Sequence, residues 1–417
     1  MSRFALFLRS CLRNVLRQRR RTAIALSAIA FGVVALLISG GFIGWVLDEM
    51  RELTIRTYVG HLQVARPTFW SQGASDPFGH LIQRSPPSVE RLRATPGVLT
   101  VAPRLSFAGL VSKGDTTLSF LAEGVDPVAE AGFGRALIFM PGRGENLGPA
   151  DGAPGAAPAA VIGQGLAANL GARTGDTLVL LVTTPAGSIN AIEVRVKGVF
   201  LTVNKAFDDA TLRLPLAQAH KLLRSQGVQS WTILTGSTAA AQDLLPRVRQ
   251  QVAQDGLAVR PWTELADTYL KTEALFARQL GFMAVVLALL IVLGISNTLT
   301  MSVMERTGEI GTAMALGASR RQVLAQFVLE GALLGLAGAT VGTLLGLALA
   351  AVLSAIGIPL PPPPGLDTPI IAAIRVSPEL ALSAFAIAAL SATLAGLYPA
   401  WRASRLVIVD ALRQVRL

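Results

Sequence analysis

Residues 301–330 read MSVMERTGEIGTAMALGASRRQVLAQFVLE. They stand between two apolar runs, about 280–300 and 331–356, each of the roughly 20 residues that a bilayer crossing takes. A connection of ~30 residues between two spans holds one short amphipathic helix rather than a folded domain. Glu305, Arg306 and Glu309 open it with mixed charge. Ile310, Ala313, Met314 and Gly317 then recur at i, i+3, i+4 and i+7, one face of a helix. Gly317 suits the C-terminal cap, and Ser319 suits the N-cap of a following helix that starts at Arg320. The stretch therefore reads as a knob at the membrane surface, joined to two spanning helices that both feel any force applied to it.

Composition agrees. The chain has 417 residues, of which 52% are hydrophobic, and a mean hydropathy of +0.52, above the range of soluble domains. The apolar residues gather in four runs separated by polar sequence. The net charge of +11 raises the question of nucleic acid, but its placement answers it. Arg3, Arg9, Arg13, Arg17, Arg19, Arg20 and Arg21 precede the first run with no acidic residue among them, and Arg402, Arg405, Arg413 and Arg416 follow the last. Basic residues beside spans set orientation and meet anionic headgroups, so no nucleic-acid partner is expected. Cys11 is the single cysteine, which excludes a disulfide within the chain and a cysteine metal site.

The expected fold class is an α-helical membrane domain of four transmembrane helices with a large α+β domain inserted between the first and second. In order, residues 1–21 read as a cytoplasmic interfacial helix. Phe4, Leu8, Cys11, Leu12 and Val15 share one face of it, and Arg9, Arg13 and Arg17 another. Either a stiffening elbow or a basic tail that only sets topology fits that pattern. Residues 22–46 form the first span, too long for the apolar core of a signal peptide. Residues 47–275 form the inserted domain with a helical stalk at each end, and 276–303 the second span. The coupling segment takes 304–326, the third span 327–356, a short outer loop 357–378, the fourth span 379–401 and a cytoplasmic tail 402–417. The basic ends and the coupling segment then share one side of the membrane.

Inside the inserted domain, 98–103, 105–112 and 117–123 read as strands, and 177–183 and 191–200 as a hairpin around Pro185-Ala186-Gly187-Ser188. Residues 214–224, 238–254 and 263–275 read as helices. The segment 141–158 is nearly all Gly, Pro, Ala and small polar residues, and its composition predicts a flexible loop. Ser296, Asn297 and Thr298 near the inner end of the second span predict interhelical hydrogen bonds in preference to an ion site. Gly331, Gly335, Gly338, Gly342 and Gly346 run along the third span, mostly at GxxxG spacing, and predict close helix packing. Packing within one subunit and packing between two fit the spacing equally. Glu330 sits at the cytoplasmic mouth of this span, where a carboxylate reaches water. Pro361 to Pro364 predict a stiff, extended outer loop.

At the coupling segment the chain resembles a known family. Glu305-Arg306-Thr307-Gly308-Glu309-Ile310-Gly311, then Ala315-Leu316-Gly317-Ala318-Ser319, then Gln326-Phe327 and Glu330-Gly331, are similar to the loop of FtsX/MacB/Lol-type ABC transporter permeases. Tyr398-Pro399-Ala400 and the later Ala411-Leu412-Arg413 resemble the C-terminal pattern of that family. The resemblance implies a coupling helix that docks on an ATPase, with Glu305, Arg306, Glu309, Ile310, Gly311, Met314, Ala315, Leu316, Gly317 and Ala318 as coupling residues. It implies a cytoplasmic ABC ATPase dimer as partner, a second permease copy or homologue, and a MacB-like periplasmic domain in the bacterial inner membrane. Gly60-His61-Leu62-Gln63-Val64 leans towards LolC/LolE-like permeases, and so towards release of a lipoprotein or lipid substrate. Export of a peptide, antibiotic or other amphiphile with a periplasmic adaptor is the alternative, and FtsX-like control of a cell-wall hydrolase a third. Outside transport altogether stands a membrane-anchored receptor or scaffold without ATPase.

No enzymatic chemistry is expected of the chain itself. A phosphate-binding P-loop places a lysine directly after glycine, and none of Lys113, Lys197, Lys205, Lys221 and Lys271 follows one. ATP and magnesium are therefore expected on the partner, with no cofactor in this chain. His61, His80 and His220 are too scattered for a zinc motif, and no G-x-S-x-G marks a nucleophile.

Overall fold

The computed structural model describes residues 13, 14, 17, 19–73, 76, 78–133, 137–202, 205–360 and 370–405. Most of the expected interfacial helix, the proline loop at 361–364 and the Ala411-Leu412-Arg413 match lie outside the described residues. The helices used below are α1 (Arg19–Thr54), α2 (Pro87–Arg93), α3 (Gln164–Leu170), α4 (Lys205–Ala210), α5 (Leu216–Leu223), α6 (Thr238–Ala253), α7 (Asp267–Glu305), α8 (Thr307–Ala315), α9 (Arg320–Ile356), α10 (Pro378–Ala395) and α11 (Leu397–Ser404). Among the described residues, four stretches are long and apolar enough to cross a membrane: Arg19–Val59, Asp267–Glu305, Arg320–Ile356 and Pro378–Ser404. The chain divides into two compact units, one built on these spans and one built from Glu49–Lys271.

In the membrane unit α9 is the central helix, and its glycines explain why. A Cβ on Gly335 would lie 3.1 Å from the Ala389 carbonyl of α10. One on Gly342 would lie 2.8 Å from Ala30 Cα and 2.9 Å from Ala30 O in α1, and backbone cannot give way. Gly331 likewise meets α10, while Gly338 and Gly346 meet Ile29 and Leu37 of α1. All five glycines thus meet neighbours within the chain, on the two helices α1 and α10. Small side chains continue the scheme: Ala384, Ala388, Ala392 and Ala395 of α10 are buried with Ile29, Val33 and Leu37 of α1. Helix α7 adds the buried stripe Ile291, Ile295 and Leu299, at i, i+4 spacing, with Ala284, Leu287 and Val292 partly buried beside it. Two of its threonines bond back along their own helix: Thr298 Oγ1 donates to Gly294 O at 2.9 Å and Thr300 Oγ1 to Ser296 O at 2.7 Å. The expected interhelical bonds are therefore not where Thr298 directs its hydroxyl.

The second unit is α+β. Its strands are β1 (Leu62–Ala65), β2 (Val98–Lys113), β3 (Thr116–Val125), β4 (Ile138–Gly144), β5 (Ala159–Gly163), β6 (Thr177–Thr183), β7 (Ile189–Leu201), β8 (Thr211–Pro215), β9 (Ser230–Thr235) and β10 (Ala258–Pro261). Pairing runs β2-β3-β8-β5-β7, and β6 joins β7 back to β2, so six strands close on themselves. The closing contact is antiparallel, Leu110↔Leu181 to Ser112↔Val179. The β3–β8 and β5–β7 pairs are parallel. Inward positions alternate as strand geometry demands: β6 buries Leu178, Leu180 and Val182 and exposes the residues between. They meet Phe107, Phe120, Ile162, Val194, Val196 and Leu212, with α3 and α5 covering the core. A second layer hangs on the first half of β2. There β10-β1-β9 extend the sheet, and α2 and α6 bury Leu62, Val64, Trp231 and Ile233.

Two expectations change here. Residues 98–103 and 105–112 form one strand rather than two, because Pro103 removes a single ladder donor and pairing continues through Pro103↔Trp231. The segment 141–158 is ordered, not flexible. Leu147 is buried beside Phe200, Lys197 Nζ stands 2.6 Å from Asp151, and Gln218 Nε2 donates to Ala157 O at 3.3 Å. Its order comes from side chains remote in sequence, which local composition does not report.

Candidate functional site

Helix α8 is short and closes in a defined C-terminal cap. At its C-terminus Gly317 has φ +103°. The Ala318 N–H donates to Ala313 O at 3.0 Å and the Gly317 N–H to Met314 O at 3.1 Å, the paired bonds of a Schellman ending. Directly after it, Ser319 Oγ accepts from Gln322 N and Gln322 Oε1 accepts from Ser319 N at 2.8 Å, a capping box that opens α9. Both caps match the expectations for Gly317 and Ser319. The α7–α8–α9 corner is thus held by its own backbone chemistry.

One side of α8 is held down. Ile310 and Gly311 are buried and Met314 half-buried, packed with Val303, Val323, Phe327, Ala400 and Ala403 of α7, α9 and α11. The other side is open. Ala313, Ala315 and Glu309 are exposed, Leu316 is 85% exposed and Met304, just before the corner, 64%. Ala313 and Gly317, expected on the apolar face, are exposed, and the helix ends at Ala315, before it reaches Gly317.

Beneath the corner lies a polar cluster. Glu330 is 2% exposed, a correction to its expected place in reach of water. Its carboxylate accepts from Arg306 Nη1 at 3.2 Å, Asn14 Nδ2 at 3.0 Å and Gln326 Nε2 at 3.3 Å. Arg306 lies over the Phe327 ring, 5.8 Å from its centroid, and its Nε donates to Glu309 at 3.3 Å. Glu309 also takes Arg17 at 3.2 Å, and Glu305 takes Arg21 at 2.6 Å. Asn14, Arg17 and Arg21 are spaced i, i+3 and i+7, so one helical face reaches all three carboxylates. The sequence placed Arg17 and Arg21 among the basic residues before the first span and Gln326 in the family pattern, and gave no role to Asn14. The face at 14, 17 and 21 was the available signal.

The second unit carries a buried charged cluster that sequence reading did not find. After α1 the chain makes a π-turn, Ile55–Val59, in which Gly60 N donates to Ile55 O at 2.8 Å. The Thr57 carbonyl accepts from Arg213 Nη2 at 2.7 Å and Arg104 Nη1 at 3.3 Å. Glu123 lies 2.7 Å from Arg213 and 3.4 Å from Arg104, and Glu130 lies 2.9 Å from Arg104. Tyr58 Oη is 3.1 Å from Thr202 Oγ1, whose hydroxyl donates to Asp208 at 2.8 Å. Burial alone would raise Glu123, but Arg213 and Arg104 outweigh it and hold its carboxyl below the usual range. Asp208 goes the other way, raised by burial against its bonds from Thr202.

A pH dependence follows for Glu123. A depressed carboxyl stabilises the fold above its unfolded value, about 4.3, and that stability is lost as pH falls through the lower folded value. Glu123→Gln is therefore expected to destabilise the second unit at neutral pH, and the difference from wild type should vanish at a pH below the lowered folded value. Acid titration followed by fluorescence of buried Trp231 checks this. Equal destabilisation at both pH values would contradict it.

Comparison with known proteins fits these two units. A family model described as FtsX-like permease C-terminal matches residues 281–408, and one described as MacB-like periplasmic core domain matches 22–251, more than half of the chain. A macrolide export ATP-binding/permease protein MacB of Syntrophobacter fumaroxidans is 36% identical over 161 residues, 38% of this chain and 20% of the relative. A pyoverdine export ATP-binding/permease protein PvdT of Pseudomonas entomophila is 34% identical over 175 residues, 42% of this chain and 24% of the relative. The chain thus spans about a fifth to a quarter of the length of these two relatives. The periplasmic region of MacB from Actinobacillus actinomycetemcomitans aligns at 15% identity and a TM-score of 0.36, covering 50% of this chain and 91% of that structure. The LolC/LolE lean finds no support among these matches. With four spans, a capped surface helix between the second and third, and an inserted α+β domain, the chain belongs to the FtsX-like permeases that carry a MacB-like periplasmic core domain.

Proposed function

We propose that this chain is the membrane subunit of a mechanotransmitting ABC transporter. A cytoplasmic ATPase dimer on another polypeptide docks on the open side of α8 and pushes it when ATP closes the dimer. The observation that carries this reading is a capped helix with Leu316, Ala313 and Ala315 exposed, tied through Arg306 and Glu330 to α9. A push on such a corner tilts α7 and α9 together, and the helices α1 and α7 carry the movement outward. ATP and magnesium stay on the partner, and this chain supplies no hydrolytic group. Paired ATPases call for two membrane subunits, either two copies of this chain or one with a homologue. The arginines flanking the spans favour the bacterial inner membrane with both ends cytoplasmic.

Export of an amphiphile, with a periplasmic adaptor, is the cargo reading that the names of the exporter relatives favour. A specific observation favours the lipid or lipoprotein alternative. An apolar recess of about 520 Å³ lies between the first two spans, lined by Phe31, Gly32, Leu36, Phe282, Val286 and Leu290, and its size and chemistry suit an acyl chain. Purification in mild detergent, with identification of co-purifying subunits and lipids, tests both levels. An associated protein with a Walker A motif supports the transporter. Its absence from a stable, folded preparation supports a receptor or scaffold instead.

A further inference from the structure

We propose that the π-turn at Ile55–Val59 is a force-bearing anchor, through which Arg213 and Arg104 grip the end of the first stalk by one backbone atom, the Thr57 carbonyl. This rests on the reading above, in which α1 carries movement outward.

The geometry points to a grip rather than to packing alone. A helix end leaves carbonyls without intrahelical partners and carries the negative end of the helix dipole. Water caps such an end on a surface, but Thr57 is 1% exposed and Ile55 fully buried. The cap is instead two guanidiniums from separate strands, Arg104 on β2 and Arg213 on β8. Glu123 on β3 holds both, and Glu130 holds Arg104. Two strands thus reach one carbonyl directly, and the segments of Glu123 and Glu130 hold the guanidiniums that do so. Tyr58 adds a second hold, its ring edge-on to Phe207 of α4 with centroids 4.6 Å apart. Behind the turn, Gly60 has φ +66°, and any Cβ there would meet Thr232 of β9 and lie 2.9 Å from the Ile233 carbonyl. The chain leaves the turn with no slack. A buried charged cluster is a costly way to fill a core, since apolar residues of the same volume serve stability as well. What it adds is direction: strong, oriented bonds to a point where a helix delivers its load. β2 then spreads that load, because its first half pairs with β9 and its second half with β3 and β6.

Arg213 and Arg104 are positioning residues in this proposal. The test is hydrogen exchange on the full chain in lipid nanodiscs. Arg213→Lys keeps a positive charge for Glu123, but its single ammonium lacks the fork that reaches Glu123 and the Thr57 carbonyl at once. Amides of residues 55–61 are expected to exchange at least about tenfold faster in R213K, while those of Ile162 and Val196 in the barrel stay within about twofold. The double variant R213M/E123L removes the charges together and leaves none buried alone. It should show the same local loosening in a folded barrel. Unchanged exchange at 55–61 in both variants overturns the anchor, and so does loss of protection throughout the barrel in both, which marks a merely structural cluster. In a complex with the co-purified ATPase, ATP should alter exchange in the second unit of wild type but not of R213K. Equal ATP responses overturn the anchor. Absence of any ATPase instead counts against the transporter reading, and the nucleotide-free comparison still reports on the anchor.

Discussion

Arg306→Met is expected to lower the stability of the membrane unit by about 3–5 kcal/mol, the cost of stranding one partner of a buried ion pair. The side chain of Glu330 is 3% exposed and that of Arg306 15%. Without Arg306, the carboxylate keeps, among the described residues, Asn14 and Gln326, two neutral donors for a full charge. The loss spreads because Arg306 also covers the Phe327 ring and holds Glu309, so α7, α8 and α9 lose a shared point of attachment. In detergent, a fall in Tm of roughly 6–20 °C is expected. R306M/E330L should recover most of it, since the uncompensated charge is gone. A single variant within about 1 kcal/mol of wild type would contradict the account of the cluster.

Leu316→Glu is expected to have the opposite profile, with stability unchanged and partner affinity lost. At 85% exposure Leu316 contributes little to the fold. A large apolar side chain held out on a capped helix end has the features of an interface anchor, and such anchors are worth about 2 kcal/mol or more. The ATPase should therefore bind about thirtyfold more weakly or worse. Titration of the purified ATPase against the chain in nanodiscs measures this. Ile310→Glu separates the two effects, because Ile310 is buried against Phe327 and its loss should appear as instability instead. If L316E binds as wild type does, α8 is not the docking element.

The membrane unit was legible because its signals are local. Four apolar runs, the Gly317 cap and the Ser319 cap each announce themselves within a few residues. The glycine ladder announced close packing but not its partners, since spacing on one helix does not say which helix faces it. The second unit was legible where strands alternate cleanly, as in β6 and β7, and illegible where its order is non-local. Closure depends on Leu110 meeting Leu181. The 141–158 segment depends on Lys197 and Gln218. The π-turn depends on Arg104 and Arg213, which lie 47 and 156 positions after Thr57. No periodicity links such positions. Glu330 was read as a surface carboxylate because its sequence neighbours place it at a span end. Only the fold brings Asn14 and Arg306 over it.

The central claim is that a motor on another polypeptide works this membrane subunit through α8. Placing a photocrosslinking amino acid at position 316 of the full chain, in native membranes, tests it most directly. The account predicts one dominant adduct, to a protein with a Walker A motif, lost when Glu is placed at neighbouring Ala313. Adducts only to lipid or to outer-face proteins, with none to an ATPase, would contradict it.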